Sequence, residues 1–423
     1  MADGVASRPP AGAAAMPRTV ARSAGAPLVF DADDPRLAAA AWSRLAEPGD
    51  AVAGALVAQL GASGALRWLV DATVDPDRAL GGLRRADEDG TDVPPVRRAA
   101  TDRLLSAVGR WAPRLASLDP RRELRVLERC DGTLLVPGDE HWPRRVDDLG
   151  VAAPFALWVR GRADVEGWSR RSVAVVGARA ATAYGERVAA ELASGVAERG
   201  FTVVSGGAYG IDAAAHRGAV AAEGMTCAVL ASGVDRFYPQ GNDGLLRRVA
   251  GTGAVLSEVP PGSAPFRQRF LARNRVIAAL TAATVVVEAA HRSGALSTAR
   301  RAAELLRPVG AVPGPVTSMA SAGCHGLLRD AVAVCVTGAA EVADLAGDLG
   351  REAAPPPPSA DTVLDRLGPD ERLLRDALPV RAAASVDSLA RAAGLPPRRV
   401  LTLLGGLERQ DLVRREGGRW RRA

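Results

Sequence analysis

Three groups of residues in this chain could do chemistry. The first is glycine-rich: Gly177-x-Arg179 after one apolar run, then Ser205-Gly206-Gly207-x-x-Gly210 after the next. Backbone N–H groups in such loops can cradle a phosphate, helped by the N-terminus of the helix that follows. The second is ionisable: Asp212, His216, Glu258 and Glu288 stand near separate strand ends and could converge as acid and base. Each also has a plainer reading. Asp212 serves equally as a helix cap, His216 one turn later forms an i,i+4 pair with it, and Glu288 can hold an arginine. The structural readings are preferred. The third group runs from Phe266 to Arg275, where four arginines (Arg267, Arg269, Arg273, Arg275) interleave with Phe266 and Phe270. Arginine beside aromatic rings and a phosphate-ready loop suits single-stranded nucleic acid, whose bases stack on rings. The same spacing also describes an amphipathic helix with a solvated face.

Other site chemistries find less support. G-x-G-x-x-G is missing after the first strand, so dinucleotide binding is not expected. Cys130, Cys227, Cys324 and Cys335 form no CxxC pair and have no zinc-like spacing, so no metal and no cofactor are expected. Cys227 and Cys335 lie in apolar strand-like runs and read as buried reduced thiols; Cys324-His325 reads as loop packing. Reduced thiols, with no run of 18 apolar residues, suggest a cytoplasmic chain without a membrane span.

Those residues need a scaffold, and the pattern around them supplies one. Ser172–Val176 is a β-branched run, Glu186–Ala197 has helical spacing, and Phe201–Val204 begins the cycle again. Ala213–Glu223, Thr226–Leu230 and Ala254–Glu258 continue it, as do Thr284–Glu288 and a strand ending at Ala311–Gly314. Strands alternating with helices imply βαβ units, hence an α/β fold on a parallel sheet with its ligand at the strands' carboxyl ends.

The 423 residues allow two or three domains. Residues 1–28 read as a disordered extension and 29–125 as a small helical domain of scattered, solvated arginines. Residues 126–349 hold the sheet, with 126–165 as a lead-in whose Trp142 and Trp158 read as core. A proline-rich linker over 350–360 precedes 361–423, where two helices, a turn and a hairpin suggest a winged helix. The net charge of +6 favours anionic partners, and all 54 basic side chains are arginine, whose planar fork suits phosphate.

In one order, the stretches over about 130–345 closely resemble the DprA/Smf family. They are Val175-Val176-Gly177-x-Arg179, Tyr184-Gly185, Ser205-Gly206 with Gly210-Ile211-Asp212 through His216, Tyr238-Pro239 and Ser257-Glu258. Arg273-Asn274-Arg275-Val276-Ile277-Ala278, Val287-Glu288-Ala289, Ser293-Gly294, Thr298-Ala299 and Pro313-Gly314 complete them. The tail from about 361 resembles the winged helix that many members carry. The resemblance implies a Rossmann-like domain that binds single-stranded DNA, forms a homodimer, and loads the recombinase RecA during natural transformation. It places Gly177, Arg179, Ser205, Gly206, Gly210, Phe270, Arg273, Asn274 and Arg275 at the DNA, with Asp212, His216, Glu258, Glu288, Ser293 and Gly294 supporting the loops, and no catalytic residue. Two departures stand out: Gly207-Ala208-Tyr209 replaces the usual Leu-Ala-Arg, and Leu271 a usual proline. The alternative is a nucleoside monophosphate phosphoribohydrolase, though its paired-glycine-threonine loop with a catalytic glutamate is not evident. A transcription regulator led by the C-terminal domain would leave the central loops unused.

Overall fold

The computed structural model describes residues 28–88, 98–348, 352 and 364–423. The expected extension over 1–28 and linker over 350–360 thus lie, but for residues 28 and 352, outside the described residues. The chain packs as two compact units that divide after Ala354.

The first unit opens with five helices: α1 (Pro35–Leu45), α2 (Ala51–Val74), α3 (Pro76–Glu88), α4 (Arg98–Leu115) and α5 (Pro120–Glu128). Asp34 caps α1 and Asp50 caps α2, each carboxylate accepting from two backbone N–H groups. By length and composition α2 could cross a membrane, but Gly61 (φ 71°, ψ 164°) breaks it, and Leu56, Leu66 and Leu69 are buried in a core around Trp42 and Trp111. The arginines read as a solvated face are in part structural. Arg44 pairs with Glu123 at 2.9 Å, and Glu47 is shared by Arg114 at 2.8 Å and Arg269 at 2.9 Å.

The chain then builds a nine-stranded sheet. In sequence it runs β1 (Gly132–Leu135), β2 (Leu157–Gly161), α6 (Val165–Ser169), β3 (Ser172–Val176), α7 (Ala183–Glu198), β4 (Thr202–Ser205), α8 (Ile211–Ala221), β5 (Thr226–Leu230), α9 (Asp243–Thr252), β6 (Ala254–Ser257) and α10 (Arg267–Leu280). There follow β7 (Ala283–Val286), α11 (Ala295–Glu304), β8 (Val309–Ala311), α12 (Ala322–Arg329), β9 (Val334–Cys335) and α13 (Ala339–Ala346). The spatial order is β1-β2-β6-β5-β4-β3-β7-β8-β9; every pairing from β6 to β9 is parallel, while β2 joins β1 and β6 antiparallel.

Alternation along β3 feeds two cores. Val173 and Val175 pack with α7, α8 and α13, and Ala174 and Val176 with α10, α11 and α12. Helices on both faces of a mostly parallel sheet make the α/β, Rossmann-like class expected from the sequence. The lead-in supplies β1 and β2, and Trp142 and Trp158 are core residues, 2% and 0% exposed.

Two cysteine expectations need correction. Cys335 is exposed, because β9 is a two-residue edge strand. Cys324 is buried on α12, not in a loop; its thiol lies 3.6 Å from the Val286 carbonyl, and burial pushes its pKa up to about 11. The second unit has α14 (Pro369–Ala377), α15 (Val386–Ala393), α16 (Pro397–Arg409) and the hairpin of β10 (Val413–Glu416) with β11 (Arg419–Arg422). Its own core gathers Leu374, Leu389, Leu404, Leu407 and Trp420.

Candidate nucleic-acid interface

The chain winds β3 to β6 outward in one direction, then returns to lay β7 on the other side of β3. Connections leaving adjacent strands in opposite directions open a crevice at the strands' carboxyl ends. A cleft of about 1060 Å³ lies there, between the Gly177–Ala180 turn after β3, the Ala290–Gly294 loop after β7, and the start of α10.

Its rim is cationic and aromatic. Arg179, Arg267, Arg292 and Arg300 all line it and are exposed, and among the described residues none is paired with a carboxylate. His291 joins them. The Arg179 guanidinium lies 4.6 Å over the Phe270 ring, and that ring is 5.9 Å from Tyr238 at a tilt of 50°. Phe266 completes the aromatic wall. Asp212 is the one carboxylate among the lining residues described, and it is buried beneath the cleft.

The floor is made of groups that hold one another. Arg273, 6% exposed, donates through Nη1 to the carbonyls of Gly206 (2.9 Å) and Val229, at the ends of β4 and β5. Burial pushes its pKa down to about 10; the Asp212 charge opposes that and the Arg179 charge adds to it. Burial raises the Asp212 carboxyl above its ordinary value, against Arg273 and the N–H groups of Ala208 and Gly206. Gly206 sits between the two: a Cβ there would come within 2.4 Å of Arg273 Nη2 and 2.6 Å of Asp212 Oδ2. Asn274 Nδ2 donates to Gly294 O at 3.2 Å, which ties α10 to the loop after β7, and the Ala295 N–H donates to Ser293 Oγ at 3.3 Å within that loop. Gly177 and Gly210 let the turns after β3 and β4 touch. A Cβ on Gly210 would meet Ala178 O at 2.4 Å, and its φ of 72° is left-handed as well.

The residues singled out in the sequence therefore part company. Arg179, Phe270, Arg273 and Asn274 meet in the cleft, whereas Ser205 is fully buried and donates to Val175 O at 2.7 Å. Arg275 turns away on α10, to a buried pair with Glu258. Among the described residues Glu288 holds no arginine; it accepts from the Thr182 N–H at 2.9 Å and Oγ1 at 2.6 Å, fixing the start of α7. His216 does not pair with Asp212 either. Its Nδ1 meets Thr226 Oγ1 at 2.8 Å in a fully buried site, where burial, then the Arg273 charge, push its pKa down to about 3. Asp212 does not cap α8, because Gly210 occupies that position.

Sequence reasoning did not single out His291, Arg292 or Arg300; the visible signal was a basic turn, His291-Arg292-Ser293-Gly294, following a buried strand. It also passed over Asn242, whose Nδ2 donates to the carbonyls of Gly207 and Ala208 at 3.0 Å and sets the loop that departs from the usual pattern.

Residues 133–347 match the family model for DNA recombination-mediator protein A. Over 309 residues the chain is 49% identical to the putative DNA processing protein DprA of Mycobacterium tuberculosis, covering 71% of this chain and 79% of that protein. It is 36% identical over 262 residues to the protein Smf of Escherichia coli, 60% and 68% of the two lengths. The crystal structure of DprA from Streptococcus pneumoniae superposes with a TM-score of 0.52 at 30% identity, covering 66% of this chain and 95% of that one. With the switch-point cleft in the middle of the matched region, these likenesses make the chain a member of the DprA/Smf family of DNA recombination mediators.

Proposed function

We propose that the cleft binds single-stranded DNA. The observation that carries this is a rim of four exposed arginines that have no carboxylate partner among the described residues, set against Phe270, Tyr238 and Phe266. The arginines would meet successive phosphates, and the rings would stack bases that only a single strand exposes. Arg179 sits over Phe270 and serves both tasks. Arg273, Asn274, Gly206 and Asp212 shape the floor, and Gly177, Ser205 and Gly210 hold the turns in place.

In this reading the bound strand passes to the recombinase RecA, and the protein works as a homodimer, as the family resemblance implies. The C-terminal unit reads as a winged helix. We assign no catalytic step to the cleft: Glu258 is held by Arg275, Glu288 by Thr182, and His216 is sealed beneath the sheet. That arrangement weighs against the phosphoribohydrolase alternative, which needs a free carboxylate at the substrate.

The test is oligo-dT binding by the full chain and by an Arg179→Ala/Arg267→Ala/Arg292→Ala variant. Arg170→Ala serves as control, because Arg170 precedes β3 at the opposite end of the sheet. Undiminished binding by the triple variant rejects the proposal. Release of free base from nucleoside monophosphates, lost in Asp212→Asn, would put the hydrolase in its place.

A further inference from the structure

The turn between α1 and α2 reaches across to the cleft wall. Glu47, in that turn, accepts from Arg269 Nε at 2.9 Å and Nη2 at 3.2 Å, and from Arg114 Nη2 on α4 at 2.8 Å. Burial raises the Glu47 carboxyl, but the two arginines outweigh it and hold the group below its ordinary value. The carboxylate is therefore ionised near neutral pH, and its two oxygens grip one edge of the Arg269 guanidinium.

Arg269 passes the restraint on. It lies in the first turn of α10, three residues after Phe266 and so on the same side, with its guanidinium 4.4 Å over the Phe266 ring. Its Nη1 donates to Ala264 O at 3.0 Å, in the loop that leads from β6 into α10. The end of α1 pins the same loop: Arg44 Nη2 donates to Pro261 O at 2.9 Å, and Nη1 to Ser263 Oγ at 3.3 Å. Pro265 and Phe266, the next residues, line the cleft. Phe266 is still 39% exposed with Arg269 against it, so part of its ring surface stays open.

On charge alone this arrangement disfavours an anionic ligand. Glu47 repels phosphate and neutralises an arginine that would otherwise attract it. What the pair supplies instead is orientation, since a ring held in place before binding loses less freedom when a base stacks on it.

We propose that Glu47 is a positioning residue for single-stranded DNA: through Arg269 it fixes the Phe266 ring as the platform for one base, which makes the helices α1 to α5 part of the binding apparatus. This rests on the cleft reading above and extends it to residues that do not line the cleft.

The experiment measures oligo-dT affinity of the full chain in Glu47→Gln, Phe266→Ala and the double variant, with thermal melts alongside. Removing a carboxylate near the cleft should tighten binding if only charge counted. The proposal gives the opposite sign: Glu47→Gln weakens binding by about five-fold, the lower end of what one base–ring stack contributes. In the Phe266→Ala background the same substitution causes no further loss, because the ring through which it acts is gone. A general loosening of the fold would add its loss in both backgrounds. Unchanged or tighter binding by Glu47→Gln overturns the proposal, as do equal losses in the two backgrounds or wild-type affinity in Phe266→Ala. Failure of the cleft reading would show separately, as undiminished binding by the Arg179→Ala/Arg267→Ala/Arg292→Ala variant.

Discussion

At the residue scale the cleft separates exposed cations on its rim from buried cations that hold the protein together. Arg179 is exposed and, among the described residues, free of acid partners, so Arg179→Ala should reduce the salt dependence of oligo-dT binding by about 0.7 in slope while leaving thermal stability intact. Phe270→Ala should weaken binding by about 1–3 kcal/mol with almost the same slope, because stacking releases few ions. A salt titration of the two variants distinguishes these behaviours, and equal slopes would reject the assignment of Arg179 to phosphate. Arg273 belongs to the other kind. It is buried against two carbonyls beside Asp212, so Arg273→Ala should cost about 3 kcal/mol of stability by stranding buried acceptors and a charge. A melt at wild-type temperature would show that Arg273 is not part of the floor.

At the element scale, α10 carries opposed duties on its two sides. Phe270 and Arg273 face the cleft, and Arg275 is buried against Glu258 at the end of β6, with the backbone of Gly49 close to its guanidinium. Removing one member of a buried ion pair leaves the other uncompensated, at about 3–5 kcal/mol. Glu258→Leu or Arg275→Met alone should therefore destabilise strongly, and the double variant should recover most of the loss. Urea unfolding of the three variants measures the coupling; additive losses would show that the pair is not coupled. Gly210→Ala tests the junction of β4 with α8. Left-handed backbone and a 2.4 Å clash with Ala178 O act together, so a loss of about 1–3 kcal/mol is expected in the same measurement.

At the scale of the whole molecule, stability should depend on pH through His216. Its folded pKa is about 3 against an ordinary 6.5. Between those values the unfolded chain binds a proton that the folded chain refuses. The contribution is full above pH 6.5 and is lost as pH falls toward 3, at about 1.4 kcal/mol per pH unit for one proton. His216→Leu should flatten the pH dependence of urea unfolding between pH 6.5 and 4.5 by about that slope. An unchanged profile would mean that the buried imidazole does not govern the acid limb.

The sequence by itself determined the alternation of strands and helices, because short apolar runs such as Ser172–Val176 and Thr226–Leu230, bounded by glycines and separated by segments of helical spacing, suit the doubly buried strands of a parallel sheet. Its glycine loops and the Phe266–Arg275 cluster also marked the right end of that sheet. Spatial strand order was beyond it. Nothing local says that β7 returns beside β3, and that return alone creates the crevice and brings His291, Arg292 and Arg300 across from Arg179. The sequence likewise could not sort identical side chains by duty. Arg273 and Arg275 are two residues apart on one helix, about 200° around its axis, so one faces the cleft floor and the other a buried glutamate. Glu288 and His216 were spent on Thr182 and Thr226, partners 106 and 10 residues away. Partners for buried polar groups are chosen by packing, and only the tertiary structure decides them.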